Sequence, residues 1–263
     1  GKTVAMTGDG VNDILALKEA DCSIAIAAGS DAARSVSQLV LLDSNFSSMP
    51  SVVAEGRRVV NNIQKSSSLF LMKTIFAICI AVFVLCLNKT YPFSPIQFTL
   101  LEVFVIGLPS FFLALQPNTN KIEGKFLVNI AKTTLPAGIC LIASTITMYI
   151  YQMFTGISTE VLVTMSSLAI LAIGFLALFK MCKPFNWFKT LMYITCLGLT
   201  ITAVVVLYDL FKYVSLAYPD VLFLIIVCQT AYPVYLVLNK LFEMPGKHKS
   251  ENAQEQSNQS NQD

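Results

Sequence analysis

The sequence predicts a short α/β segment followed by an α-helical bundle of six membrane-spanning helices. The first observation is compositional, because 55% of the 263 residues are hydrophobic and only 13% are charged, about half the charged fraction of a typical soluble domain. The second is a run of polar and glycine residues near the start, TGDGVNDILALKEAD (Thr7–Asp21). The third is a series of long apolar runs after residue 68, which are typical of a membrane protein.

Residues 1 to about 65 alternate between short apolar runs and one amphipathic stretch. The strand candidates are Thr3–Thr7, Ser23–Ala27 and Leu39–Leu42, and Val11–Ala20 has apolar residues at helical spacing. Strand, glycine turn, helix and strand form the pattern of a parallel sheet, whose active sites lie at the carboxyl ends of the strands. Asp9 follows the first strand candidate and therefore occupies such a position.

Six apolar runs follow, each near the roughly 20 residues that cross a bilayer. They are Ser68–Leu87, Pro95–Leu115, Leu135–Phe154, Val161–Phe179, Phe188–Tyr208 and Val221–Leu238. Lysines concentrate in the second and fourth connections and in the tail, and the positive-inside rule then predicts that both ends face the cytoplasm. The polar, low-complexity residues at the end of the chain are predicted to be disordered.

Several classes of function are excluded by composition. A net charge of +2 without a basic patch gives no reason to expect nucleic-acid binding. The seven cysteines form no CxxC pair and the single histidine, His248, lies in the polar tail, so no zinc or copper site of the His/Cys type is expected. The Gly1-Lys2-Thr3 sequence resembles the end of a P-loop, but the glycine loop that must precede it does not occur here.

The loop around Asp9 has the residue types of a phosphate and magnesium site. Gly8 and Gly10 allow a sharp turn and a close approach to a ligand. A helix that begins near Val11 would point its N–H groups at a phosphoryl group, and Asp9 is a hard oxygen ligand for Mg²⁺. Asn12 and Asp13 are candidate partners of the same site. The alternative is that Asp9 and Asn12 only form the turn and cap the helix.

These motifs resemble those of P-type ATPases. TGDGVND with ALKEAD resembles the hinge motif of their phosphorylation domain, which has a Rossmann-like haloacid-dehalogenase fold. The resemblance continues through LVLLDSNFSSM (Leu39–Met49), EGRRVVNNIQK (Glu55–Lys65) and the GLP of the second apolar run (Gly107–Pro109). The resemblance implies that residues 1–50 are the C-terminal part of the phosphorylation domain and that 51–67 form a stalk. Residues 68–240 would then be the transmembrane domain and 241–263 a cytoplasmic tail.

The resemblance also implies an enzyme with ATP as substrate and Mg²⁺ as cofactor. The family's Mg²⁺ aspartate corresponds to Asp9, and its hinge asparagine and second aspartate to Asn12 and Asp13. The phosphorylated aspartate of DKTGT and the TGE loop do not occur in these 263 residues. We therefore expect that the chain alone does not hydrolyse ATP, because the nucleophile of phosphoryl transfer lies elsewhere.

Six trailing helices make the chain most similar to the cation pumps of the family, in particular the bacterial cation-transporting ATPase E-type group. That similarity favours Ca²⁺ as the transported ion and the plasma membrane as the location. Lipid flippases share the six helices, but their motif diverges where this chain has ALKEAD. Pumps for K⁺, Mg²⁺, Mn²⁺ or H⁺ remain alternatives, as does a flippase. A membrane-anchored phosphatase and a passive channel subunit are weaker alternatives outside the family.

Two charged residues inside the first two apolar runs are candidates for ion transport. Glu102 lies seven residues before Pro109, and a proline within a helix can free carbonyls near Val105 and Ile106 as ligands. The family's usual carboxylate directly before GLP is Ile106 here, which makes one bound ion more credible than two. Lys73 either extends its ammonium to the cytoplasmic surface or neutralises Glu102 when the site is empty. A purely structural carboxylate is the alternative for Glu102.

Overall fold

The computed structural model describes residues 2–122 and 124–243. The chain divides into two compact units, Gly1–Arg58 and Val59–Asp263. The first unit contains the sheet, and the second contains most of the long apolar helices. The predicted domain boundaries, including the stalk at 51–67, stay predictions. Residues 244–263 of the predicted disordered tail lie outside the described residues.

The first unit is a small α/β unit with a parallel sheet, as the sequence predicted. Its strands are β1 (Ala5–Gly8), β2 (Cys22–Ile26) and β3 (Leu39–Leu41), in the order β1-β2-β3. In the register, Thr7 is opposite Ile24, and Ile24 is opposite Leu39. The carboxyl ends of β1 and β2 therefore lie side by side, and the loops that follow these two strands are neighbours.

Two short helices cover this sheet, α1 (Ile14–Glu19) and α2 (Asp31–Val36). Leu17 of α1 and Ala33 of α2 are almost fully buried, as is Ile24 of the central strand β2. β2 is buried because helices of a βα unit pack on the faces of a parallel sheet. The predicted helix Val11–Ala20 is shorter than expected, because Val11–Asp13 form a tight 3₁₀ turn before α1 begins.

The first long helix, α3 (Met49–Leu87), contains both the predicted stalk and the first predicted span. Pro50 lies in its first turn, where a missing N–H removes no helical hydrogen bond. The polar stretch that follows contains glutamate, arginine, glutamine and lysine residues, which are good helix formers, and the helix starts well before the apolar run. Within the second unit, α3 buries Leu69, Met72, Phe76, Ile80 and Val84, whose spacing of three or four residues defines one face.

The remaining helices belong to the second unit. They are α4 (Pro95–Leu100), a π-helical segment (Leu101–Gly107), α5 (Leu108–Ala114), α6 (Phe126–Thr155), α7 (Thr159–Cys182), α8 (Trp187–Val206) and α9 (Tyr218–Glu243). The stretch from α4 to α5 is one apolar span, so the described residues contain six helices long and apolar enough to cross a membrane. The predicted membrane bundle is confirmed. α7 is its most buried helix and packs against α6, α8 and α9.

Candidate functional sites

The loop after β1 is held by the side chain of Asp13. One carboxylate oxygen of Asp13, Oδ2, accepts hydrogen bonds from the backbone N–H groups of Asp9 and Gly10, at 3.2 and 3.1 Å. Asp13 therefore stabilises the turn that the alternative interpretation of the sequence gave to Asp9 and Asn12. Within the described residues, the exposed side chains of Asp9 and Asn12 make no hydrogen bond or ion pair, which leaves both available to a ligand.

Two glycines allow this loop to pack tightly. A Cβ atom added to Gly8 would lie 2.6 Å from the Cβ of Asp13, and one added to Gly29 would lie 2.5 Å from the Asp9 carbonyl oxygen. The Asp9 carbonyl also accepts a hydrogen bond from the Ser30 N–H at 2.7 Å. The loop after β2 thus braces the Asp9 backbone, because the two strands end side by side. Gly10 has more room, since an added Cβ would come no closer than 3.5 Å to Asp13.

The donor set at this loop fits part of a magnesium site. The described residues contain no group of three or more His, Cys, Asp or Glu residues that could hold a metal by itself. Mg²⁺ in phosphate-handling enzymes is bound through one or two carboxylates, with waters and substrate phosphates completing the shell. An exposed Asp9 and the unused oxygen of Asp13 match that need. Glycines at 8 and 29 keep the space around the loop free of side chains.

In the second unit, Lys73 and Glu102 form an ion pair. The Lys73 ammonium contacts Oε1 of Glu102, which joins α3 to the π-helical segment. The same ammonium lies 5.8 Å from the centre of the Phe98 ring, within the range of a cation–π contact. The side chains of Lys73 and Glu102 are 30% and 46% exposed. The pair therefore lies at the edge of the bundle, where further ligands can approach.

The backbone around Glu102 is irregular. Residues Leu101–Gly107 form a π-helix, and the N–H of Leu108 donates to the carbonyl of Val103, five residues back. Pro109 has no N–H, so position 109 gives no hydrogen bond to the carbonyl of Val105, four residues back, or of Phe104, five back. π-helical turns inside longer helices occur frequently at functional sites. This one combines a carboxylate with carbonyl groups that lack a donor at position 109.

Close packing holds the π-helical segment in place. A Cβ atom at Gly107 would lie 3.0 Å from the Glu102 carbonyl oxygen. On α7, a Cβ atom at Gly174 would lie 2.8 Å from Leu101 and 3.1 Å from Val105. Val105 and Ile106 are themselves almost fully buried. The missing side chain at Gly174 lets the segment pack directly against the most buried helix of the bundle.

Several known proteins are similar to this chain over most of its length. The chain is 40% identical over 208 residues to the probable cation-transporting ATPase exp7 of Streptococcus pneumoniae, an alignment that covers 75% of this chain and 26% of that protein. It is 38% identical over 206 residues to the calcium-transporting ATPase CtpE of Mycolicibacterium smegmatis, with 73% and 26% covered. The chain belongs to the P-type cation-transporting ATPases.

A shorter similarity joins the chain to other pumps of this family. It is 37% identical over 127 residues to a calcium-transporting ATPase of Bacillus subtilis, which covers 48% of this chain and 14% of the relative. No protein-family model matches the chain. The chain spans about a quarter of the length of the first relatives, at 26% of each. The six apolar helices fit the C-terminal membrane region of a P-type ATPase.

In this P-type ATPase chain, two neighbouring asparagines of α3 hold the connection that follows α5. The amide of Asn62 donates to the carbonyls of Ala114 and Gln116, at 2.9 and 2.8 Å. The amide of Asn61 donates to the carbonyls of Asn118 and Asn120, at 3.1 and 2.9 Å. α3 is thereby fixed to the connection that continues the Glu102 span.

Sequence reasoning missed the roles of these asparagines and of Gly29. In the sequence, Asn61 and Asn62 are part of a family motif, and two adjacent asparagines in the polar first part of a long helix are only a weak signal of side-chain hydrogen bonds to backbone. Gly29 could have been found from the parallel-sheet prediction, since a glycine directly after the neighbouring strand must lie beside the Asp9 loop. The contact of Phe98 with Lys73 had no comparable signal in the sequence.

Proposed function

We propose that the complete protein uses ATP hydrolysis to export a divalent cation, with Ca²⁺ favoured, across the plasma membrane. The observation that carries the proposal is the Lys73–Glu102 ion pair at a π-helical segment that is followed by Pro109. A carboxylate and freed carbonyl oxygens are hard ligands that suit Ca²⁺. Charged residues inside a membrane span are retained at a cost, which favours a functional role over a structural one.

The ATP chemistry of the pump would use the loop after β1. Asp9 would hold Mg²⁺, which supplies charge neutralisation to phosphoryl transfer. Asp13 orients the loop through its hydrogen bonds to the N–H groups of Asp9 and Gly10, and its second oxygen can join the site. Asn12, whose side chain is exposed, would donate a hydrogen bond to a phosphoryl oxygen. The nucleophilic aspartate and the nucleotide site would come from parts of the pump outside these residues.

Lys73 would act as a built-in counter-ion. With no transported cation present, its ammonium neutralises Glu102 and lowers the cost of keeping a carboxylate in the membrane. An arriving cation displaces the ammonium, and the return of Lys73 to Glu102 helps to expel the cation on the other side. The presence of Ile106 in place of a second carboxylate limits the negative charge, which supports one divalent ion per cycle.

The proposed membrane orientation rests on the lysines of the connections. Lysines at 121, 125 and 132, at 180, 183 and 189, and at 240 would lie on the same side of the membrane as the start of the bundle. Both ends of the chain would then face the cytoplasm, where ATP is available to the Asp9 loop. The exposed faces of Lys73 and Glu102 would be completed by further helices of the pump, which supply the remaining ligands.

The similar proteins differ in the cation that their names give. Several are named for calcium. A P-type sodium-transporting ATPase4 of Toxoplasma gondii is also 39% identical over 122 residues, or 46% of this chain. A monovalent cation is therefore the second candidate. A site with one carboxylate and one lysine has little net charge, so charge alone does not distinguish a divalent from a monovalent cation. The number of oxygen ligands decides which of these cations binds.

The test is the ATPase activity of the purified complete protein with Ca²⁺, Mn²⁺, Na⁺ and K⁺ varied separately at constant Mg²⁺. We expect stimulation by Ca²⁺ at lower concentrations than by any other cation. Stimulation by Na⁺ or K⁺ alone would replace Ca²⁺ with a monovalent ion. No stimulation by any cation would contradict the cation pump and leave the flippase as the alternative, to be tested with phospholipids.

A further inference from the structure

A polar pocket lies at the bundle end opposite the cluster of connection lysines. It has a volume of about 370 Å³ and is formed by the start of α4, the start of α7 and the connection between α8 and α9. Its polar lining comes from Ser94, Gln97, Glu160, Asp209 and Lys212, with Tyr213 beside them. None of these residues belongs to the Asp9 loop or to the Lys73–Glu102 pair.

Gln97 is the buried member of this lining. Its residue is only 1% exposed, and its Nε2 donates to the carbonyl of Lys212 at 3.3 Å. This bond sets the direction of the amide and leaves Oε1 as an acceptor. Among the residues that the structure describes, Oε1 of Gln97 has no hydrogen-bond partner. A buried acceptor without a partner is costly, so it calls for a donor or a cation.

The charges around Gln97 favour a cation. Glu160 and Asp209 are exposed carboxylates on the pocket wall, and Lys212 is the one cationic side chain of the described lining, which gives two negative charges against one positive. Ser94 adds a hydroxyl oxygen. Carboxylate, amide and hydroxyl oxygens are the ligands that Ca²⁺ takes, together with water. The open, roomy pocket suits an ion that keeps part of its hydration shell.

The pocket is also close to Glu102 along the chain. Gln97 and Glu102 are five residues apart in one continuous helical span, which is about 7.5 Å at the helical rise of ~1.5 Å per residue. We propose that this pocket is a second, outward-facing site for a hydrated divalent cation, separate from the transport site at Glu102. Its outward direction rests on the orientation given under the proposed function, whereas binding of a cation there does not.

The ligand count indicates weak binding. Sites with few charged ligands on an exposed extracellular surface bind Ca²⁺ with Kd on the order of 10⁻⁴ to 10⁻³ M. Such a site would be occupied from the outside, where the exported ion is delivered. Removing both carboxylates should weaken binding by about tenfold or more, because Ca²⁺ affinity follows the charge of the ligands.

Terbium luminescence tests this proposal, because Tb³⁺ occupies calcium sites and is excited through a nearby tyrosine, here Tyr213. The complete pump is reconstituted in sealed vesicles, and Tb³⁺ is added to the side that corresponds to the cell exterior. We expect a saturable signal that Ca²⁺ displaces. The Tb³⁺ affinity obtained from this titration should fall at least about tenfold in the Glu160→Gln/Asp209→Asn double variant and in Gln97→Leu.

Two controls keep the result specific. Asp220→Asn removes another carboxylate at this end of the bundle, one that accepts hydrogen bonds from Tyr151 and from the Ala217 N–H, outside the pocket. Glu102→Gln removes the proposed transport carboxylate. Both should leave the Tb³⁺ titration unchanged. An unchanged titration in the double variant, or a signal seen only from the cytoplasmic face, would overturn the outward site. A pump without cation-stimulated ATPase would refute the proposed function alone.

Discussion

The ammonium of Lys73 contacts the carboxylate of Glu102, and this pair joins α3 to the π-helical segment, seven residues before Pro109. Both residues were candidates on sequence grounds, but only the structure places them together. Neither charge has another ionic partner among residues 2–122 and 124–243. Each therefore sets the electrostatic environment of the other, and changing one of them should change how the pump responds to cations.

Replacing Lys73 with alanine should raise the affinity of the pump for its transported cation. Without the ammonium, Glu102 has no built-in competitor, and the half-saturating cation concentration should fall by about tenfold, which corresponds to about 1.4 kcal/mol of binding free energy. Release should become slower, so the maximal ATPase rate should fall. Lys73→Arg keeps the charge and serves as the matched control. Unchanged ion dependence in Lys73→Ala would refute the counter-ion role.

Replacing Asp9 with asparagine should abolish most of the ATPase activity of the complete pump. We expect a loss of at least about 100-fold, comparable to removing one preorganised electrostatic group from a phosphoryl or acyl transfer site. Asp13→Asn should lose less, about 10- to 100-fold, because Asp13 acts mainly by orienting the loop. The control is Asp31→Asn, which removes only an exposed partner of Arg34. Equal activity of Asp9→Asn and Asp31→Asn would exclude Asp9 from the site.

Replacing Gly29 with alanine should destabilise the first unit. The new Cβ would lie 2.5 Å from the Asp9 carbonyl oxygen, so the loop must shift, at a cost of about 1–3 kcal/mol. Gly56→Ala is the matched control, because nothing lies within 4 Å of its added Cβ. Gly56→Ala should instead stabilise the protein by about 0.5–1 kcal/mol, because alanine favours the helical conformation of α3 more than glycine does. The thermal inactivation of the two variants is measured and compared. A Gly29→Ala protein as stable as Gly56→Ala would contradict the role of the loop after β2 in holding the Asp9 backbone.

The architecture could be predicted from the sequence because its signals are strong. Apolar runs of bilayer length identify the spans, and a strand, glycine turn, helix and strand identify the parallel sheet. The ends of the helices could be predicted less accurately than the spans, because they do not depend on hydrophobicity alone. α3 starts at Met49 and α6 at Phe126, so both helices extend beyond the apolar runs that were predicted to begin at Ser68 and Leu135.

The local geometry of the sites could be predicted only in part. The sequence pointed to Pro109 and to carbonyls near Val105, but not to the π-helical register, which depends on packing against Gly174 of α7. In the same way, Asp13 rather than Asp9 stabilises the turn, because the hydrogen-bond partner depends on how the chain closes after β1. Such details depend on contacts between segments distant in sequence.

Replacing Asn62 with alanine should weaken the coupling between α3 and the connection after α5. Asn62 is buried, and its loss leaves the carbonyls of Ala114 and Gln116 without their donor, at a cost of about 1–3 kcal/mol. Asn61→Ala should cost less, because Asn61 is only half-buried and water can replace it. Thermal unfolding of the two variants compares them. A larger loss in Asn61→Ala would contradict the assignment of the main anchor to Asn62.

The most direct test of the transport site is the cation dependence of ATPase activity in the Glu102→Gln pump. The change keeps the size of the side chain and removes the charge that would bind the ion. We predict that the half-saturating Ca²⁺ concentration rises by about 100-fold or more, or that stimulation disappears, as expected when a charged ligand is lost. Glu55→Gln, an exposed change near the start of α3, should leave this concentration unaltered. A Glu102→Gln pump with the cation dependence of the unmodified protein would contradict the assignment of Glu102 to the ion site.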